Sequence, residues 1–146
     1  MKTLCLVSCL CMFIATAAAP SKAEEPASKS AVHKSFAKPG EVRAFPKGQL
    51  ELVEVDGVTI GRAVFEPGWK WSTSLKEASK TESCEAPHFQ YHVSGVLHVK
   101  MDDGTEFDCK PGDVSMLPPG HDAWVVGDEP VVLIDWHGMT EYSKSK

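Results

Sequence analysis

The chain lacks the local signatures of most nucleotide-dependent and acyl-transfer chemistry. It has no glycine-rich phosphate loop, no Gly-x-Ser-x-Gly elbow, no His-Glu-x-x-His and no Cys-x-x-Cys. Positive charge is also in short supply: 15 Lys and Arg face 20 Asp and Glu, for a net charge of −5. That balance argues against nucleic acid or an anionic membrane surface as a partner. Internal repeats and long amphipathic segments are missing too, which excludes repeat arrays and helical bundles. Cysteines are few, and three of the five, Cys5, Cys9 and Cys11, fall at the very start.

That start reads as an export signal. Lys2 precedes an apolar stretch from Leu4 to Ala19, followed by Pro20 and then Ser21-Lys22-Ala23, small residues of the kind a signal peptidase reads. Residues 1–23 are expected to be removed, with Ala19 or Ala18 as other cleavage points. The stretch is shorter than the ~20 residues of a membrane-spanning helix, so no span is expected after processing. The expected location is secreted or periplasmic. Processing takes Lys2 and Lys22 with it, so the mature chain is more acidic still. It also leaves only Cys84 and Cys109, which in an oxidising compartment can bridge or stay apart.

With 146 residues there is room for one domain of moderate size. Residues 24–38, rich in Ala, Ser, Lys, Glu and Pro, read as a flexible linker, residues 39–140 as the domain and residues 141–146 as a C-terminal tail. In the domain, Val42–Phe45, Leu50–Val55 and Val58–Phe65 read as strands separated by Pro46-Lys47-Gly48 and Asp56-Gly57 turns. Beyond a long polar loop at 72–85 come further short apolar runs. They are punctuated by the Asp102-Asp103-Gly104 turn, Pro111-Gly112-Asp113 and the Pro118-Pro119-Gly120 corner. Such a succession of short antiparallel strands is expected to close into a small all-β barrel.

The phrase from Gly112 to Gly120, with Pro118 between, resembles the second motif of the cupin family, and Ser94-Gly95-Val96-Leu97 resembles the end of its first. The resemblance covers roughly residues 42–136 and implies a single-domain jelly-roll β-barrel. Placed on the cupin pattern, the four metal-binding positions fall on Glu82, Cys84, His88 and Ala123, so none carries the family's usual residue. Three of those replacements still offer donor atoms: a carboxylate, a thiolate and an imidazole. His121, two residues before Ala123, lies on the same face of an extended segment and can supply the missing imidazole.

Two functional classes follow. In the first, a cavity lined by His88, Gln90, His92 and His121, with Trp71 near its mouth, holds a small polar molecule without turnover, and the polar side chains satisfy one another. In the second, Glu82, Cys84, His88 and His121 hold a divalent metal (Zn, Cu, Fe or Mn) that supports oxygenase or isomerase chemistry of the kind metal-dependent cupins perform. The signal has no twin arginine, so the chain is expected to meet its metal outside the cell, where zinc and copper win on affinity. His92 is too far along its strand from His88 to share a metal with it. His121 can also brace the Pro118-Pro119-Gly120 corner through a backbone carbonyl. Trp69 and Trp71 are expected mainly as core, and Trp124 and Trp136 as cover for an outer sheet face or a homodimer seam.

Overall fold

The computed structural model describes residues 30–140 and 142. The export signal expected at 1–23, residues 24–29 of the expected linker, and residues 141 and 143–146 of the expected tail lie outside the described residues.

Strands form where apolar residues alternate, and they end where the turn residues stand. They are β1 Glu41–Phe45, β2 Gly48–Val55, β3 Val58–Phe65, β4 His88–Ser94, β5 Val96–Met101, β6 Glu106–Cys109, β7 Val114–Leu117, β8 His121–Val126 and β9 Val131–Asp135. All pairings are antiparallel, in one sheet of order β1-β2-β3-β9-β4-β7 and a second of order β6-β5-β8. After β4 the chain crosses repeatedly between the two sheets, the path of a jelly roll. The expected all-β jelly roll is therefore present, but the closed barrel is not. β1 and β7 remain edges of the large sheet and β6 and β8 edges of the small one, so the two sheets face each other as an open sandwich.

Period-two alternation sends Leu50, Leu52, Ala63, Phe65, Leu117, Val131 and Leu133 inward from the large sheet. Leu97, Val99, Ala123 and Val125 meet them from the small sheet. The crossing from β4 to β5 needs a glycine: Gly95 has φ +69°, and a Cβ there would fall 2.6 Å from the Pro130 carbonyl oxygen.

The stretch expected as a long polar loop is partly helical. It folds into two single turns, α1 Trp71–Ser74 and α2 Lys76–Ser79. Trp71 and Leu75, four residues apart, both turn inward and are buried, and this anchors an otherwise charged segment to the core. Trp69 stacks on Phe65 with ring centroids 3.9 Å apart, so the two tryptophans are core, as expected. The outer face of the large sheet carries exposed Phe89, Tyr91, Val93, Val114, Met116 and Trp136. Trp124 lies on the small sheet instead, stacked on His98 at 4.2 Å with the Lys70 ammonium 4.7 Å from its ring centroid.

Candidate metal centre

β4 presents His88, Gln90 and His92 to the interior because they alternate with outward Phe89, Tyr91 and Val93. From the small sheet, β8 begins on buried His121, and an isolated bridge joins His121 to Cys84, whose N–H donates to the His121 carbonyl at 2.8 Å. Pairing across the sandwich thus brings Cys84, His88 and His121 together, with one potential ligand atom from each lying within 4.8 Å of the others. All three are buried.

Each imidazole has its Nδ1 already engaged. His88 Nδ1 lies 2.6 Å from Asp135 Oδ2, and His121 Nδ1 lies 3.1 Å from the Pro118 carbonyl oxygen. A carbonyl oxygen can only accept, so His121 carries its proton on Nδ1, and the Asp135 carboxylate imposes the same tautomer on His88. Both rings therefore offer Nε2 lone pairs. His88 Nε2 stands 3.6 Å from Cys84 Sγ and accepts a hydrogen bond from the thiol. This is the arrangement in which histidines ligate metals, with the far nitrogen donating to a carboxylate or carbonyl that fixes the ring.

Burial sets the electrostatics. It pushes the Cys84 thiol up to about 12, so the metal-free protein keeps that proton. Burial, with His88 alongside, also lowers His121 to about 4. The unfolded chain takes up this proton near 6.5 and the folded one only near 4, so between those values the unfolded state binds more protons. The metal-free domain is therefore expected to lose stability as pH falls below 6.5, by about 3 kcal/mol when the loss is complete near pH 4. Thermal unfolding from pH 7 to 4 with chelator present checks this, and His121→Asn should flatten the dependence.

Asp135 is fully buried and receives four hydrogen bonds. Oδ1 accepts the N–H groups of Phe89 and His137, at 3.2 and 2.7 Å, and Oδ2 accepts from His88 Nδ1 and from Gln90 Nε2, the latter at 3.2 Å. Further along β4, His92 Nε2 lies 3.0 Å from Ser115 Oγ, which in turn lies 3.5 Å from Gln90 Oε1. The cavity beside the triad measures about 20 Å³ and is lined by His88, Gln90, His121, Trp71, Met139 and Tyr142 among others. That is room for one water or one ion. Gly138, at φ +93°, lets the chain return beneath the Pro87 carbonyl, where a Cβ would overlap the oxygen, and so brings Met139 and Tyr142 over the cavity. Arg43 holds that return through the Met139 and Tyr142 carbonyls, at 3.2 and 2.6 Å.

The structure thus brings together three of the four expected ligands. Glu82 is not among them: its side chain is 93% exposed and pairs with Lys76 at 2.6 Å. The turn after α2, with Lys80 at φ +56°, carries residue 82 outward before the chain comes inward at Cys84. Gln90 and Trp71 line the cavity, whereas His92 lies beyond Gln90 and outside the triad. Among the described residues, Cys84 and Cys109 are both buried and form no disulfide. Sequence reading missed Asp135, Ser115 and Tyr142. Asp135 did carry a signal, since it continues the inward phase of Val131 and Leu133.

No protein-family model and no curated protein matches the chain. Among solved structures it is similar to a protein of unknown function from Rhizobium leguminosarum bv. viciae, at 18% identity over 73% of this chain and 94% of that one, with a TM-score of 0.49. It is also similar to a cupin-like protein from Thermotoga maritima, at 20% identity over 60% and 65% of the two chains, with a TM-score of 0.43. A sugar phosphate isomerase from a cupin superfamily of Silicibacter pomeroyi shows 21% identity over 65% and 68%, with a TM-score of 0.47. None of these bears on which ligand or reaction the residues above serve.

Proposed function

We propose that the chain is an exported cupin-type domain that holds one zinc or copper ion through Cys84 Sγ, His88 Nε2 and His121 Nε2. The observation that carries this reading is that Cys84, His88 and His121 are buried with one ligand atom of each within 4.8 Å of the others, while both histidines have Nδ1 committed, to Asp135 and to Pro118, which leaves Nε2 as the donor each can give a metal. One thiolate and two imidazoles suit zinc or copper better than iron or manganese. A metal held by these three residues would supply Lewis acidity toward a substrate oxygen. The chain's own residues orient the donors, and the apolar walls of Phe65, Trp71 and Leu117 keep bulk water out. A cavity of about 20 Å³ fits a single ion better than the small polar molecule of the alternative, metal-free reading. The homodimer expected from the sequence would place the outer face of Phe89, Tyr91, Met116 and Trp136 between two copies.

Cobalt(II) titration tests the reading. Binding should produce the intense near-ultraviolet absorption of a thiolate–cobalt bond at a stoichiometry of one. Because the Cys84 thiol holds its proton until about 12, each metal bound releases that proton, and apparent affinity should rise about tenfold per pH unit from 7 to 8.5. A pH-independent affinity, or cobalt bound without the thiolate absorption, would remove Cys84 from the site.

A further inference from the structure

Beyond the triad, a line of buried polar side chains runs through the inner face of the large sheet from His92 to His88. Its links are His92 Nε2 to Ser115 Oγ, Ser115 Oγ to Gln90 Oε1, Gln90 Nε2 to Asp135 Oδ2, and Asp135 Oδ2 to His88 Nδ1. All five residues are at most 7% exposed. The strand register accounts for the line: Gln90 stands opposite Ser115 of β7 on one side and Asp135 of β9 on the other.

The polarity of the line is fixed at its charged end. The Asp135 carboxylate only accepts, so Gln90 must turn its NH₂ toward it and its Oε1 toward β7. Oε1 in turn accepts, so the Ser115 hydroxyl points at Gln90 and cannot also donate to His92. His92 must then donate from Nε2 to Ser115 Oγ, which leaves its Nδ1 as a bare lone pair. Among the described residues, Nδ1 is indeed the atom of His92 without a hydrogen-bond partner. Burial favours the neutral ring that this demands.

We propose that His92, Ser115 and Gln90 are positioning residues that hold the Asp135 carboxylate in one orientation, and with it the His88 ring whose tautomer that carboxylate imposes, so that Nε2 faces Cys84. A histidine that never touches the metal thereby helps to place one that would. Each link sends its proton toward Asp135, so the line has one sense. Reversing any link forces an acceptor against an acceptor or a donor against a donor. The inference rests on the metal-centre reading for its consequence, but its structural content concerns the metal-free protein.

Two measurements on the mature chain test it. Nitrogen-15 NMR of the histidine rings in chelator-treated protein should show His88 as the Nδ1–H tautomer and His92 as the Nε2–H tautomer. Ser115→Ala should leave His88 as Nδ1–H, release His92 to mix its tautomers and weaken cobalt(II) binding about tenfold, while Ser115→Thr, which keeps the hydroxyl, should restore the His92 tautomer and the affinity. A structural role alone would let stability fall with the cobalt(II) affinity of the folded protein unchanged. Ser115→Ala with unchanged cobalt(II) affinity, or His92 found as Nδ1–H in the wild type, would overturn the proposal. Wild-type protein that fails to bind cobalt(II) yet shows the expected tautomers, with that of His92 lost in Ser115→Ala, would refute the metal reading and leave the positioning line standing.

Discussion

Cys84→Ser is expected to remove at least 99% of zinc affinity while leaving the domain folded. The substitution keeps the side-chain size and a proton donor toward His88 Nε2, so the interior loses little packing. It takes away the one soft anionic donor. Structural zinc sites bind with about 10–16 kcal/mol, or about 3 kcal/mol per ligand, and 3 kcal/mol is a factor of more than 100. A hydroxyl in place of the thiol cannot be ionised near neutral pH, so the remaining pair, His88 and His121, is left without charge compensation. Competition against a chelator of known zinc affinity measures the change, and thermal unfolding of the metal-free variant checks the fold. Zinc affinity unchanged within about threefold would show that Cys84 is a buried core residue and nothing more.

The second large effect belongs to Asp135. Asp135→Leu leaves four donors, from Phe89, His137, His88 and Gln90, without an acceptor in the core. Each such orphan costs about 1–3 kcal/mol, so a destabilisation on the order of 4 kcal/mol is expected even with some relaxation. Asp135→Asn separates this cost from the effect on metal. Its NH₂ group can sit on the Oδ2 side if Gln90 flips its amide and His88 moves its proton to Nε2. That repair preserves hydrogen bonds at the expense of the Nε2 lone pair. The Asn variant should therefore lose less stability than the Leu variant and still bind metal about 10–100-fold more weakly. Denaturant unfolding and zinc competition on both variants supply the comparison. An Asn variant with wild-type zinc affinity would show that Asp135 does not govern His88.

The strands were legible because turn residues mark their ends. Asp56-Gly57, Asp103-Gly104 and Pro111-Gly112 each fall between elements, and period-two alternation holds along β4. The facing of His88, Gln90 and His92 followed from the same period. What the sequence did not reveal depends on long-range pairing. His88 and Asp135 are 47 positions apart, and only the antiparallel register of β4 with β9 makes them neighbours. Glu82 was misplaced because counting assumes an extended chain, whereas the left-handed turn at Lys80 breaks the phase. His121 braces the corner through Pro118 O, one of its two expected roles, and that same bond leaves Nε2 free for the other, which is proposed above.

Metal analysis of the mature protein, produced through its own export route and purified without chelator or a metal-binding tag, tests the central claim most directly. The account predicts close to one zinc or copper per chain, falling to background in His88→Ala and His121→Ala. Background metal in the wild-type protein, or stoichiometric metal that persists in both variants, would contradict it.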